Sequence, residues 1–225
     1  MKIILFDIDK TLIHTKSGRH GMNQAFEEVF GISDGFEGII MAGKPDPSIL
    51  LEALRKNNLQ YDDNKIKLYK KCYFEFLAEN IKHDLHEKAV LPGVRKLLDQ
   101  LYKNKHVKIG LLTGNWKTGA YIKLTYFNLN HYFDFGAFGD DSINRDELLP
   151  FALKRCNSSK KHTAQDAIVI GDTPIDIRCA KVHCAKVIAV STGRYSVDEL
   201  SQEGADLVLK DLTDTSQIIS WIFKK

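Results

Sequence analysis

Cysteine is scarce in this chain, and the four present, Cys72, Cys156, Cys179 and Cys184, make no CxxC pair and no zinc-ligand grouping. That excludes a disulfide framework and a zinc ribbon, and it makes free thiols in a reducing cytoplasm the expectation. Long apolar runs are missing too; the longest are a handful of residues, too short to cross a bilayer. The N-terminus opens on a strand-like run rather than the charged and apolar regions of a signal peptide, so no membrane partner is expected. Charge of one sign is not in excess: the formal net charge of +3 is too mild to argue for a nucleic-acid partner. The stretch 65–71 is basic, but Ile66, Tyr69, Tyr73, Phe74 and Leu77 fall at helical spacing, the pattern of a helix with a solvated face. Internal repeats and low-complexity segments are absent. No GxGxxG or Walker A run follows any strand, which argues against a simple nucleotide-binding module.

What is present is ordinary in bulk: 225 residues, 44% hydrophobic and 27% charged, a composition of soluble globular proteins. The length suits one α/β domain with a smaller insert. Lys2–Phe6 is a short β-prone apolar run, read as a buried strand of a parallel sheet. After Leu12-Ile13 the pattern turns helical and stays so. Met22, Ala25, Phe26, Val29 and Phe30 recur at helical spacing, and Gly31 reads as a stop. Asp46-Pro47 reads as an N-cap followed by proline, opening a second helix, and Asp62 or Asp63 opens a third that reaches about Asn80. No strand is expected in 14–88, which is read as a helical insert.

Pro92-Gly93 punctuates the return, and from there strand and helix alternate. The expected strands are 107–112, 135–138, 167–170, 185–190 and 207–209. The helices between and after them are 94–103, 116–127, 147–155, one opened by the capping box of Ser196 and Glu199, and 218–223. Strands separated by helices imply βαβ crossovers and a parallel sheet. The fold class is therefore α/β: a Rossmann-like parallel-sheet core over 1–13 and 89–225, interrupted by a helical cap over 14–88.

Three expected strand ends carry polar residues: Asp7 with Asp9, Thr113, and Asp172 with Asp176. Turn chemistry alone explains an Asp after a strand. In a parallel sheet, however, all three ends converge on the edge where open α/β sheets bind ligands. Two acids brought to one such point repel each other unless a divalent cation lies between them, which makes Mg²⁺-dependent chemistry the leading reading.

Asp7-Ile8-Asp9-Lys10-Thr11 resembles motif I of the haloacid dehalogenase-like phosphohydrolases. Leu111-Leu112-Thr113-Gly114-Asn115 resembles motif II, and Gly171-Asp172-Thr173-Pro174-Ile175-Asp176 resembles motif IV, in the family's order. The resemblance spans the chain, since 14–88 lies where the family inserts its type-1 cap. It implies that Asp7 is the nucleophile forming an aspartyl-phosphate and Asp9 the general acid and base. It implies that Mg²⁺ is held by the Asp7 side chain, the Asp9 main-chain carbonyl and Asp172, with Asp176 orienting that site. Thr113, Gly114 and Asn115 would bind phosphate through a hydroxyl and backbone N–H groups.

Motif III departs from the pattern. The family places a cation, usually Lys, near a helix start between motifs II and IV. Here Arg145 stands just ahead of a helix and is the choice, with Lys154, late in that helix, as the alternative. Lys10 replaces the Gly often found after the second Asp and is expected to face solvent or to steer anionic substrates. Lys44, in Gly43-Lys44-Pro45-Asp46 between helices of the insert, is the candidate substrate contact, with Asp46 explained as an N-cap. His14, His20 and the other histidines lack ligand spacing and are expected at the surface.

The expected activity is Mg²⁺-dependent hydrolysis of a small phosphorylated metabolite, phosphoglycolate phosphatase-like in its leading form. A β-phosphoglucomutase-like phosphotransferase needs the same Asp7 and Asp9 and stays open. Dehalogenase chemistry does not call for Asp9, and a phospho-accepting regulatory domain needs neither Asp9 nor a cap. Oligomeric state is not set by the sequence.

Overall fold

The computed structural model describes residues 1–83, 88–156 and 162–224. Strand β1 (Lys2–Phe6) is followed by the two-residue β2 (Ile13–His14), then by helices α1 (Ser17–Phe30), α2 (Asp46–Lys56) and α3 (Asp63–His83). After β3 (Ala89–Val90) come α4 (Val94–Tyr102), β4 (Val107–Leu112), α5 (Lys117–Tyr126), β5 (Phe135–Ala137) and α6 (Leu148–Cys156). The chain ends with β6 (Ala167–Gly171), α7 (Pro174–Lys181), β7 (Lys186–Val190), α8 (Val197–Gln202), β8 (Leu207–Leu209) and α9 (Thr215–Phe223). The expected alternation after Gly93 is what is found. The last helix begins three residues early because the Asp214 carboxylate accepts from Gln217 N–H at 2.9 Å and caps it.

Six strands form one parallel sheet in the order β5-β4-β1-β6-β7-β8. β1 is central: Lys2 pairs with Val107 on one side and Ile3 with Ala167 on the other. Its side chains alternate between the sheet's faces, as the period of a strand requires. Ile4 and Phe6 join an apolar cluster with α4, α5 and α9, while Ile3 and Leu5 join one with α6, α7 and α8. Helices thus cover both faces, which is why β1 reads as a continuous apolar run. All of Ile3–Phe6 is buried, and the first polar groups of the strand's own path are Asp7 and Asp9 beyond its end.

The segment between β2 and β3 has its own apolar cluster, in which α1 packs along α3. Aromatic rings fill it: Phe26 meets Phe36 with centroids 5.1 Å apart, and Tyr73 meets Trp116, which follows β4, at 5.7 Å. β2 and β3 pair antiparallel, Ile13 with Val90 and His14 with Ala89, where the chain leaves the sheet for these helices and returns. Two residues are too few to show a period of two, so this pair has no sequence signal. The expected insert 14–88 includes 84–87, which lie outside the described residues.

Candidate active site

Three parallel strands, β4, β1 and β6, end side by side and deliver the site. Beyond β1 the backbone curls: Leu12 and Ile13 N–H both donate to Ile8 C=O, at 2.9 and 3.1 Å. The curl requires Lys10 at φ 64°, a left-handed conformation that glycine adopts without strain. That is a physical reason for glycine at this position, and lysine here carries the strain. Thr192, after β7, donates its hydroxyl to the Lys10 carbonyl and ties the curl to the neighbouring loop.

Asp7, Asp172 and Asp176 are all buried, and each offers a carboxylate oxygen within 4.8 Å of the others'. Arg145, 3% exposed, supplies the one guanidinium among them. Its Nη2 donates to Asp7 Oδ1 at 2.9 Å, Asp176 Oδ1 at 2.5 Å and Leu112 C=O at 3.0 Å, and its Nη1 donates to Gly43 C=O at 3.1 Å. Its Nε is buried with no hydrogen-bond partner among the described residues. Asp176 Oδ2 accepts from both the N–H and the hydroxyl of Thr173, at 3.0 and 2.7 Å, so both of its oxygens are engaged. Thr11 donates its hydroxyl to Asp172 Oδ1 at 3.3 Å. Burial pushes Asp7 up to about 6 against the pull of Arg145, and burial with the charges of Asp176 and Asp7 pushes Asp172 well above the carboxylate range. Three acids around one arginine, when ionised, leave two negative charges over. A hard divalent cation bound by oxygen ligands fits that imbalance.

Asp9 belongs to a second set. Its Oδ2 accepts from Asn115 Nδ2 at 2.8 Å and from Lys123 Nζ at 2.6 Å. Lys123 Nζ also donates to Asn115 Oδ1 at 2.7 Å, and Asn115 Nδ2 reaches Thr113 Oγ1 at 2.9 Å. Lys123 is 4% exposed and was not singled out by motif reading. It has a sequence signal nonetheless: on α5 it shares the face of Ala120, Leu124 and Phe127, where an unpaired lysine does not belong.

A cavity of about 610 Å³ opens onto both sets. Its wall includes Asp7, Asp9, Asp172, Arg145, Lys123 and Gly114. Gly114 is packed so tightly under the 43–46 loop that a Cβ would come within 2.4 Å of Lys44 C=O. Lys44 does line the cavity, and its Nζ is paired with Glu52 at 2.5 Å. Lys10 lines it as well, its Nζ 2.6 Å from His14 Nδ1.

The alternative cation, Lys154, is exposed on α6, in keeping with its place late in that helix. Two expectations are corrected, those for Asp46 and His14. Asp46 is not an N-cap: no side chain caps α2, and its carboxylate accepts instead from Trp116 N–H at 2.8 Å. It stitches α2 to the loop after β4, buried, and burial pushes it up to about 7. His14 is half-buried on the cavity wall rather than at the surface, because β2 turns it inward, while His20 is exposed as expected.

The model of the haloacid dehalogenase-like hydrolases matches residues 4–190. The chain belongs to the haloacid dehalogenase-like hydrolase family. Among its curated relatives is a provisionally named pyrophosphatase, PpaX, of Clostridium perfringens, 26% identical over 92% of this chain and 91% of that protein. The phosphoglycolate phosphatase of Pseudomonas syringae pv. tomato is 24% identical over 94% of this chain and 77% of that protein. The crystal structure of a Pseudomonas syringae hydrolase shares the fold with a TM-score of 0.71, at 21% identity over 99% of both chains.

Proposed function

We propose that this haloacid dehalogenase-like phosphatase hydrolyses a small phosphomonoester through an aspartyl-phosphate on Asp7, with Mg²⁺ held by Asp7, Asp172 and the main-chain carbonyl of Asp9. The observation that carries the reading is Arg145: a buried guanidinium bridging Asp7 to Asp176 in a set that still has two negative charges over. Asp176 has no oxygen to spare, which suits it to orienting the site rather than ligating the cation.

A carboxylate oxygen of Asp7 attacks phosphorus while Asp9 gives a proton to the departing alcohol oxygen. Arg145 lies against the nucleophile, where it offsets charge gathering on the transferring group, and Gly114 and Asn115 line the cavity there, while Thr113, expected at the phosphate, is fully buried and holds the Asn115 amide instead. In the second half-reaction Asp9 takes a proton from water as water attacks the acyl phosphate, and Asp7 is restored. When bound, Mg²⁺ supplies charge neutralisation at the phosphoryl oxygens and keeps Asp7 ionised.

Residues 14–88 act as the cap, roofing the cavity so that water is excluded and only esters that fit are admitted. The phosphoglycolate phosphatases among the relatives favour a short carboxylated ester such as phosphoglycolate, and free cysteines suit a cytoplasmic enzyme. The test is a panel of phosphorylated metabolites incubated with and without Mg²⁺ and scored by released phosphate. Mg²⁺-dependent release from at least one monoester is expected. No release from any, with a stable phosphate adduct on Asp7 after acetyl phosphate, would favour a phospho-accepting regulator instead.

A further inference from the structure

We propose that Lys123 is a positioning residue for Asp9: with Asn115 it fixes one oxygen of that carboxylate so that the other faces the cavity and passes the proton. This rests on the phosphatase reading above and adds to it a residue that no motif supplies.

Three observations carry the assignment. The first is the division of the carboxylate. Both protein donors, Lys123 Nζ and Asn115 Nδ2, converge on Oδ2, at 2.6 and 2.8 Å. The Asp9 side chain is 39% exposed while that of Lys123 is 5% exposed. Oδ2 is thus the protein-side oxygen and Oδ1 the cavity-side one. An oxygen that already accepts two hydrogen bonds from fixed donors is the acceptor of the pair, and a transferable proton rides on the other.

The second is closure of the triangle. Lys123 Nζ also donates to Asn115 Oδ1 at 2.7 Å, so the amide cannot rotate without losing a bond. Each of the three side chains is held by the other two. The third is enclosure from the opposite side. A Cβ at Gly18 of α1 would lie 3.3 Å from Lys123 Nζ and 3.9 Å from the Tyr73 hydroxyl. The ammonium thus lies between the strand ends and the first turn of α1, where an added methyl would make it give by a few tenths of an ångström.

A purely structural purpose explains this arrangement poorly. An apolar side chain of similar length would fill the space, and replacing a buried ion pair with packed apolar groups is often neutral or stabilising. What an apolar group cannot do is hold Oδ2. In the proposed step a lone pair of Asp7 forms the bond to phosphorus, the P–O ester bond breaks onto the leaving oxygen, and the Oδ1 proton moves to that oxygen, leaving Asp9 a carboxylate. Misdirecting Oδ1 penalises this transfer and the later removal of a proton from water, so the first half-reaction has to be read by itself.

The readout is leaving-group dependence. An alkyl phosphate needs a proton on its leaving oxygen, whereas p-nitrophenyl phosphate expels a stable anion without one. Lys123→Met and the wild type are assayed on both with Mg²⁺ in a single turnover with enzyme in excess, following release of the alcohol or nitrophenolate, which reports the first half-reaction alone. The variant is expected to lose about 100-fold in the single-turnover rate on the alkyl ester, with at most a few-fold loss on the nitrophenyl ester. Gly18→Ala keeps the charge but pushes Nζ aside. It is expected to show the same selectivity, smaller in size, with a melting temperature equal to or above that of the wild type, because alanine favours the helix. It decides the matter if the methionine variant does not fold. Equal loss on both esters, or no loss, overturns the role of Lys123 while leaving the phosphatase reading intact. A wild type that releases phosphate from neither ester overturns the phosphatase reading and this role with it.

Discussion

The two halves of this site are built on opposite electrostatic plans. Around Asp7 three buried carboxylates share one guanidinium, whereas around Asp9 one carboxylate meets one ammonium and an amide. The first set is incomplete without more positive charge, and burial there pushes both Asp7 and Asp172 upward. The second is balanced as it stands. Two aspartates only two residues apart in sequence thus receive different jobs from their surroundings. The imbalance calls for a cation and a nucleophile held beside it. The balance suits a group that trades a proton and must not be captured by the metal.

The severest way to break the comparison is to remove the proposed nucleophile, Asp7. Asp7→Asn keeps the side-chain size and its contact with Arg145 but cannot form an acyl phosphate, so turnover is expected to fall to background. Measuring phosphate release alongside mass spectrometry for the adduct checks both points. Normal turnover in this variant would assign the chemistry elsewhere. Next in size is Arg145→Ala, which strips the unbalanced set of its only cation among the described residues. Loss of a transition-state donor is worth about 3 kcal/mol, so a drop of roughly 100-fold or more in kcat is expected. Lys154→Ala, a change on the exposed side of α6, should leave kcat unchanged.

Asp172→Asn sharpens the contrast, because it acts on charge while keeping the oxygen that accepts from Thr11. The variant should need at least tenfold more Mg²⁺ for half-maximal activity, since a hard cation loses one anionic ligand. In EDTA at pH 8 the same substitution should raise the melting temperature. A carboxyl raised in the folded state holds its proton more tightly there than in the unfolded chain. The metal-free wild type therefore loses stability as pH rises from the unfolded pKa through the folded one, and a neutral amide escapes that loss. Mg²⁺ should raise the melting temperature of the wild type more than that of the variant. Equal Mg²⁺ requirement in both proteins would sink the assignment of Asp172 as a ligand.

The same contrast explains what was legible in the sequence. Asp7, Asp172 and Asp176 end apolar strands, and strand ends are read directly from hydrophobic pattern, so the unbalanced set and the parallel sheet follow from the chain as written. Arg145 is picked out only by the resemblance to the family's third motif together with its place ahead of a helix. Lys123 did not, because it lies mid-helix and its partner is 114 residues away. Long-range pairing of that kind leaves only the faint mark of a lysine on an apolar face. Asp46 was misread for a related reason: beside Pro47 it has the local look of an N-cap, and only the approach of the loop after β4 gives its carboxylate a different donor, Trp116 N–H. The antiparallel pair β2–β3 is likewise set by where the chain exits and re-enters the sheet, not by residue pattern.

Asp46 also supplies the smallest of the expected effects, and it tests whether the balanced half of the site extends into the helical segment. Its carboxylate is buried beside the loop after β4. Burial pushes it up to about 7, with Lys123 and the bond from Trp116 N–H pulling downward, and Asp9 and Asp140 pushing up. The unfolded chain releases this proton near 4, the ordinary Asp value, so between pH 4 and 7 the folded protein binds the proton that the unfolded chain has lost. Stability should therefore fall as pH rises across that window and then level off, as far as this group is concerned. Asp46→Asn keeps an oxygen for the Trp116 N–H but has no proton to lose. At pH 8 it should be more stable than the wild type, with the gain vanishing near pH 4. Denaturant melts of both proteins at pH 4.5, 6 and 8 measure the difference directly. A gain that is the same at every pH would show that Asp46 stays ionised in the fold. The charge of Lys123 would then reach past Asp9 to hold a second carboxylate, and the balanced set would carry one acid more than its geometry shows.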